Sequence, residues 1–283
     1  MSVLFVDQLT VIDFSFFHPH RGIVGESWIL DVELEGELDD NGMVFDFAHV
    51  KKQIKAHVDQ LIDHKFVFPQ HYAQATIKQE DDELIIECQD LSQRRFRHVS
   101  PTQAVALVPV DSITPESVTP FLKEHLLRIL PDNVKDLQIA LRTEKIDGPY
   151  YHYSHGLKKH FGDCQRIAHG HRSKIEVWQD GVINAEQAQI ISEEWEDIYL
   201  ITEEDIKQED NFEGIDYTTV SYTSNQGYFE LQVPTRQCDV MKTDSTVELI
   251  AQFLANRLKQ RHPNNHFKVK AYEGVQKGAI AEA

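Results

Sequence analysis

The stretch HGLKKHFGDCQRIAHGH, residues 155–171, concentrates the chemistry of this chain. His169 and His171 are two apart at the start of a predicted strand, and side chains two apart on an extended chain point to the same side. His155 ends the preceding predicted strand, which a hairpin would bring beside them. Three imidazoles leave the fourth position of a zinc ion open for water or substrate. The spacing therefore predicts a catalytic Zn²⁺ site, although an ordinary exposed His-Gly-His triplet would look the same.

The same stretch reverses the charge of the chain. It carries Lys158, Lys159 and Arg166 but a single acid, Asp163, whereas the whole chain has 28 Lys+Arg against 46 Asp+Glu and a net charge of −18. A local excess of basic groups favours an anionic ligand such as a phosphate ester. Cys164 lies within this stretch and is a candidate catalytic thiol.

Composition limits the remaining possibilities. The acidic balance argues against nucleic acid or an anionic membrane surface as the main partner. No apolar run approaches the length of a membrane-spanning helix, and residues 1–9 lack the basic and apolar regions of a signal peptide. Three cysteines make a disulfide framework improbable, which predicts a cytoplasmic protein. The 283 residues are enough for two domains.

The order of predicted elements repeats in the two halves of the chain. Each half has two strands, a helical region, irregular strands, a long helix and a last strand, and we place the boundary at Gly148-Pro149, which gives domains 1–148 and 149–283. This pattern predicts an α+β fold with antiparallel sheets and helices packed on one face. The main expected helices are residues 47–63, 115–130 and 245–260. Residues 39–42 are expected to form a turn, 225–227 a hairpin turn, and 202–215 a solvated acidic loop.

Short motifs are divided between the halves. The C-terminal half carries Tyr151 with His155 four later, Cys164, His169-Gly170-His171, Thr246-Val247-Glu248 and a closing Glu273. The N-terminal half carries Phe14 with His18 four later, Val24-Gly25-Glu26, Gly42-Met43-Val44-Phe45-Asp46-Phe47, Asp63-His64 and a closing Glu144. Together these motifs resemble the 6-pyruvoyl-tetrahydropterin synthase and 6-carboxytetrahydropterin synthase family, which has the tunnelling fold (T-fold).

The resemblance implies two tandem T-fold modules that share one site. In this family zinc and the cysteine come from one protomer, and the Asp-His pair comes from its neighbour. The C-terminal half would then supply the Zn²⁺ ligands His155, His169 and His171 together with Cys164. The N-terminal half, which has lost two ligands, would supply the catalytic pair Asp63 and His64. Alternatively, that pair only caps a helix C-terminus, where a histidine is favourable.

The resemblance also implies a substrate, 7,8-dihydroneopterin triphosphate. A carboxylate would accept hydrogen bonds from the pterin, with Glu273 as the first choice and Glu144 as the alternative, and Thr246 would line the pocket. The implied product is 6-carboxy-5,6,7,8-tetrahydropterin, on the route to queuosine. The alternatives are the sibling activity giving 6-pyruvoyl-tetrahydropterin and a non-catalytic paralogue that binds zinc and pterin. T-fold modules commonly close into rings, which predicts a homo-oligomer, a trimer or a related ring. One departure is that the C-terminal half lacks a region matching residues 42–64.

Overall fold

The computed structural model describes residues 2–38, 42–44 and 46–283. The turn expected at 39–42 and Phe45 of the Gly-Met-Val-Phe-Asp-Phe motif therefore lie wholly or largely outside the described residues. The N-terminal half contains β1 (Ser2–His18), β2 (Gly22–Gly36), α1 (Phe47–Leu61), β3 (Phe66–Pro69), β4 (Ala75–Glu80), β5 (Glu83–Gln89), β6 (Arg95–Pro101), β7 (Val105–Val108), α2 (Pro115–Leu127) and β8 (Val134–Thr143).

The C-terminal half follows the same order with two extra strands, one before its first helix and one at its end. It contains β9 (Tyr150–His155), β10 (His169–Gln179), β11 (Val182–Ile183), α3 (Ala185–Glu194), β12 (Ile198–Thr202), β13 (Ile206–Phe212), β14 (Ile215–Ser224), β15 (Gly227–Pro234), β16 (Cys238–Met241), α4 (Val247–Arg261), β17 (Phe267–Tyr272) and β18 (Gly278–Glu282). Among the described helices, none is both long and apolar enough to span a membrane. The predicted α+β class and the three main helices are confirmed.

The helices begin where the sequence provides caps. Asp46 accepts a hydrogen bond from the His49 backbone N–H at the start of α1, and Thr114 and Thr246 cap α2 and α4 in the same way. The apolar face of α1 is completely buried against the sheet of its own half. Each long helix therefore covers one face of a sheet, as expected for amphipathic helices.

The described strands form three sheets. The first has the order β7-β3-β1-β2-β8, and the second has the order β16-β12-β9-β10-β17-β18, with β11 paired to β10. The third sheet, β13-β14-β15-β6-β5-β4, belongs to both halves because β15 pairs with β6. The halves are thus joined by main-chain hydrogen bonds as well as by side-chain packing.

Two expectations for the C-terminal half are wrong. Residues 202–215 are not a loop, because β13 pairs with β14 at the edge of the shared sheet. An edge strand that exposes both faces shows no apolar alternation, so the pattern gave no signal. The region matching residues 42–64 is also present. It is formed by α3, which precedes β12 as α1 precedes β3, and β12 pairs in parallel with β9 as β3 does with β1.

The two halves cross back to back at a pair of glycines. A Cβ at Gly170 would lie 2.6 Å from the Gly25 Cα and would also meet the backbone oxygen of Tyr153. Beside this crossing the Ser15 hydroxyl donates a 2.7 Å hydrogen bond to the Ser154 hydroxyl. The main chains of β1–β2 and β9–β10 can approach this closely only because neither glycine carries a side chain.

We expect Gly170→Ala to destabilise the protein by about 1–3 kcal/mol or more, because the added methyl meets backbone atoms that cannot move without separating the halves. Denaturant unfolding of the full chain measures the change. Gly162→Ala is the matched control, since a Cβ there would meet only the His160 ring at 3.4 Å. Equal stability of both variants would contradict a tight crossing.

His98 is a buried histidine of the shared sheet. It lies on β6 opposite Leu231 of β15, its Nδ1 has no hydrogen-bond partner among the described residues, and its ring lies 4.8 Å from that of Phe66. Burial lowers the pKa of His98 to about 3. Above about pH 6.5 the ring is neutral in both the folded and the unfolded chain. As the pH falls from 6.5 towards 3, the unfolded chain binds a proton that the folded chain does not, so the free energy of unfolding decreases.

We expect wild-type protein to lose about 2 kcal/mol more than His98→Leu between pH 7 and pH 5, because only the wild type has this buried ring to protonate. Denaturant unfolding at the two pH values measures the difference. His71→Leu, at an exposed histidine, should follow the wild type. A His98→Leu protein with the wild-type pH dependence would show that His98 does not carry this sensitivity.

Candidate metal centre and catalytic site

The three predicted histidines form one buried cluster. His155 at the end of β9 pairs with His169 at the start of β10, and one ring nitrogen from each of these and from His171 lies within 4.8 Å of the others. His155 Nδ1 contacts the Ser245 backbone oxygen at 3.0 Å and its hydroxyl at 2.9 Å, and His169 Nδ1 contacts the Arg166 backbone oxygen at 3.0 Å. These contacts fix the two rings through Nδ1 and leave Nε2 for another partner.

The chemistry of this cluster fits a bound metal ion. The Nε2 atoms of His155 and His171 are buried and have no hydrogen-bond partner among the described residues. Buried polar atoms are normally paired, so such orphans point to a group that the protein itself does not supply. Burial lowers the pKa of His155 and His169 well below the usual value, with neighbouring imidazoles adding to the effect. Neutral imidazole is the form that binds a metal.

The Asp63-His64 pair follows α1 and is held by β1. His64 has a backbone φ of 53°, and its N–H donates to the Asp13 backbone oxygen at 2.7 Å. Asp63 Oδ1 accepts a 2.8 Å hydrogen bond from the Asp13 N–H, and Asp63 Oδ2 lies 2.6 Å from His64 Nδ1. The main chain of β1 thus fixes both members of the pair, and the carboxylate orients the imidazole.

The pair from the N-terminal half meets the C-terminal half at Cys164. The side chains of His64 and Cys164 lie close enough to interact electrostatically, and the rings of His64 and His169 lie 5.4 Å apart. Burial alone would lower the pKa of His64, but Asp63 and Cys164 outweigh it and raise the pKa to about 10. The fold therefore brings Asp63, His64, Cys164 and the histidine cluster together within one chain.

The three predicted substrate residues lie in different surroundings. Glu273 is half-buried near Tyr153 and Lys277, and its backbone N–H donates to the Lys277 oxygen at 2.9 Å. Thr246 caps α4 directly after Ser245, which contacts His155. The backbone oxygen of Glu144 accepts a hydrogen bond from the Arg172 side chain. The first two are thus connected to the histidines, whereas Glu144 has no described contact with them.

Folding neutralises most of the basic stretch. Lys158 pairs with Glu204 and Asp205 at 2.6 and 2.5 Å, and Lys159 pairs with Asp244 at 3.1 Å. These acids are distant in the sequence, so the local excess of basic residues overstated the charge of the folded surface. Arg166 pairs with Asp163 at 2.8 Å but is largely buried close to Asp63 and His64.

Comparison with known proteins matches each half of the chain to the same family. The family model for 6-pyruvoyl tetrahydropterin synthase matches residues 13–139 and again residues 148–283. The chain belongs to the 6-pyruvoyl tetrahydropterin synthase family. The predicted resemblance and the tandem T-fold architecture are therefore confirmed.

Several members of known sequence or structure are similar to this chain. Proteins provisionally named 6-carboxy-5,6,7,8-tetrahydropterin synthase from Pyrococcus abyssi and Methanocaldococcus jannaschii are 25% and 29% identical over 121 and 124 residues, covering 43% of this chain and 68% and 70% of theirs. The 6-pyruvoyl tetrahydropterin synthase structure from Plasmodium falciparum has a TM-score of 0.41 and 15% identity, covering 50% of this chain and 90% of that one. The Plasmodium vivax structure has a TM-score of 0.39 and 18% identity, covering 50% and 97%.

The strand register corrects the motif comparison in the N-terminal half of this family member. Ser15 pairs with Gly25 as Ser154 pairs with Gly170. The position of His155 is therefore taken by Phe16, and not by His18 as its spacing from Phe14 suggested. The three positions equivalent to the clustered histidines are therefore held by Phe16, Val24 and Glu26, none of which is a histidine.

The place equivalent to the Asp-His pair in the C-terminal half holds an ion pair. Phe66 lies opposite Ser15 and Tyr199 lies opposite Ser154, so Asp197 corresponds to His64, and both have positive φ angles of 57° and 53°. Asp197 binds Arg21 through hydrogen bonds of 2.8 and 2.5 Å. This second location therefore has the Arg21–Asp197 salt bridge where the first has the Asp63–His64 hydrogen bond.

Three residues near the cluster were missed by the sequence argument. Ser245 supports His155, Asp13 links Asp63 to the region of His171, and Lys65 lies beside Arg166. Burial and the Arg166 charge lower the pKa of Lys65 to about 8. Ser245 and Lys65 are sequence neighbours of the predicted residues Thr246 and His64, and this adjacency could have identified them. Asp13 lies within an ordinary strand pattern, and nothing in the local sequence indicated its role.

Proposed function

We propose that this chain is a zinc-dependent lyase that converts 7,8-dihydroneopterin triphosphate to 6-carboxy-5,6,7,8-tetrahydropterin, with loss of acetaldehyde and triphosphate, in the queuosine pathway. The observation that carries the proposal is the meeting of Asp63 and His64 with Cys164 beside the histidine cluster. The similarity to proteins provisionally named 6-carboxy-5,6,7,8-tetrahydropterin synthase supports the choice of product.

Zinc would be held by His155, His169 and His171, and the unpaired buried Nε2 atoms of His155 and His171 support a metal at this position. The bound ion would act as a Lewis acid on the side-chain hydroxyls of the substrate. Ser245 and the Arg166 carbonyl would keep the rings of His155 and His169 oriented through Nδ1. Burial lowers the pKa of His155 and His169, which would keep these two imidazoles neutral at neutral pH.

Proton transfer would be divided between Cys164 and His64. Cys164 would remove one proton from the substrate side chain, and His64 would deliver or accept another. The raised pKa of His64 means that it would start the reaction as a proton donor. Asp63, bonded to Nδ1, would hold the ring in position, and the β1 main chain would hold Asp63.

Glu273 is our choice for the pterin anchor. A carboxylate can accept two hydrogen bonds from the guanidine-like edge of the pterin. Its proximity to Tyr153, which packs on His155 and His171, favours it over Glu144. Thr246 would close the same pocket, and Arg166 with Lys65 would attract the triphosphate. The protein would work in the cytoplasm as a homo-oligomer, a trimer or a related ring, as the family resemblance implies.

We expect about one zinc per chain in purified protein, because one such cluster occurs among the described residues. Elemental analysis measures the content. His169→Ala should lose the metal because it removes a ligand, and His64→Ala should keep it. About two zincs would contradict a single site per chain, and no zinc would leave a pterin-binding protein without catalytic metal as the better explanation.

We expect Cys164→Ala to lower turnover of 7,8-dihydroneopterin triphosphate by about 10²-fold or more, because a proton-transfer group is removed. Product formation followed by chromatography measures the effect, and it also distinguishes 6-carboxy-5,6,7,8-tetrahydropterin from the 6-pyruvoyl product of the sibling activity. Cys238→Ala is the matched control, since that thiol contacts the Pro234 carbonyl on β15. Unchanged turnover in Cys164→Ala would rule out the catalytic role.

A further inference from the structure

Asp13 is a buried carboxylate that reaches across the boundary between the two halves. It lies on β1 of the N-terminal half and is 3% exposed. Its Oδ1 accepts a 2.5 Å hydrogen bond from the Ser27 hydroxyl and lies 3.2 Å from His171 Nδ1, and its Oδ2 lies 3.2 Å from Lys277 Nζ. A buried charge needs such partners, and two of them come from the C-terminal half.

The third histidine of the cluster has a different supporting partner from the other two. Backbone or hydroxyl oxygens in the C-terminal half hold the Nδ1 atoms of His155 and His169. In the described part of the chain His171 Nδ1 has no hydrogen bond, and Asp13 Oδ1 is the charged acceptor beside it. Histidines that bind metals almost always donate their other N–H to a carboxylate, a carbonyl or water.

The position equivalent to Asp13 supports this assignment. Since Ser15 corresponds to Ser154, Asp13 corresponds to His152, and the site on that side has Glu26 in the place of His171. His152 Nδ1 bonds to the Gly25 backbone oxygen instead. A carboxylate is therefore found at this position only where it faces a histidine of the cluster.

Asp13 also fixes the catalytic pair through its main chain. Its N–H donates to Asp63 Oδ1, and its carbonyl accepts from the His64 N–H. A single residue thus contacts His171 through its side chain and the Asp63-His64 pair through its backbone. Movement of Asp13 would displace both groups together.

From this arrangement we infer that Asp13 is a positioning residue of the metal centre, supplied by the half that has lost its own ligands. Its carboxylate, 3.2 Å from His171 Nδ1, would accept the hydrogen of that nitrogen when the metal is bound and so keep the ring oriented. Retention of zinc by the C-terminal half therefore depends on docking of the N-terminal half. This inference rests on the proposed zinc site and adds an outer carboxylate to it.

The test is zinc affinity of the full chain, measured by competition with a chelator of known affinity. We expect Asp13→Ala to bind zinc about 10–100-fold more weakly than wild type, and Asp13→Asn to lie between them, since an amide oxygen accepts the hydrogen without the charge. With Co²⁺ in place of zinc, both variants should shift the visible absorption bands, because His171 changes orientation. Thermal melting of the metal-free proteins separates these effects from a loss of folding.

The matched control is Asp197→Asn, which removes another buried carboxylate that contacts the opposite half, where its partner is Arg21 and not a histidine of the cluster. Its zinc affinity and Co²⁺ spectrum should equal those of wild type. Asp13 variants with wild-type affinity and spectrum would overturn the role of Asp13 while leaving the metal centre intact. A wild-type chain that binds no zinc would instead contradict the proposed metal centre itself. Equal losses of zinc affinity in Asp13→Asn and Asp197→Asn would show that both substitutions act by general destabilisation.

Discussion

The close crossing of two hairpins at Gly25 and Gly170 is the constraint on which the site depends. The crossing leaves no room for a Cβ at either of these two glycines, and the Ser15–Ser154 hydrogen bond lies beside them. Because β1 passes directly behind β9 and β10, residues of β1 reach the rim of the histidine cluster from the opposite half. The contact between Asp13 and His171 follows from this approach.

The electrostatics of the site are divided along the same line. The C-terminal half contributes His155 and His169, whose pKa values are lowered by burial, whereas the N-terminal half contributes Asp13 and the Asp63-His64 pair. Burial opposes the charge of Asp13, but His171 and Lys277 lower the pKa of its carboxyl below the usual range. Asp63 and Cys164 raise the pKa of His64 to about 10. A low-dielectric interior strengthens such pairs and makes them sensitive to the loss of one member.

The features that could be predicted from the sequence are those that depend on residues close together in the chain. Caps and apolar spacing located the helices, and the triplet at 169–171 with His155 located the cluster. The complementary loss of motifs suggested that Asp63-His64 would belong with Cys164. The register of the N-terminal hairpin could not be read from spacing, because an aromatic residue followed by histidine four later also occurs at Phe14 and His18 by chance.

Other parts of the structure depend on long-range contacts that no local pattern records. The partners that neutralise Lys158 and Lys159 come from residues more than 40 positions away, and Asp13 contacts His171 from the other half. The edge strand β13 is stabilised by its neighbour in the sheet and has no apolar face of its own. Tertiary context decides such cases, so a single sequence leaves them open.

Covalent fusion also changes how the site responds to dilution. A site assembled from separate chains disappears when those chains dissociate, because its population follows their concentration. Here the contributions of both halves are carried on one polypeptide and are further joined by the β6–β15 pairing, so their effective local concentration is fixed by the chain itself. The two contributions are also always synthesised in equal amounts, which frees each half to specialise.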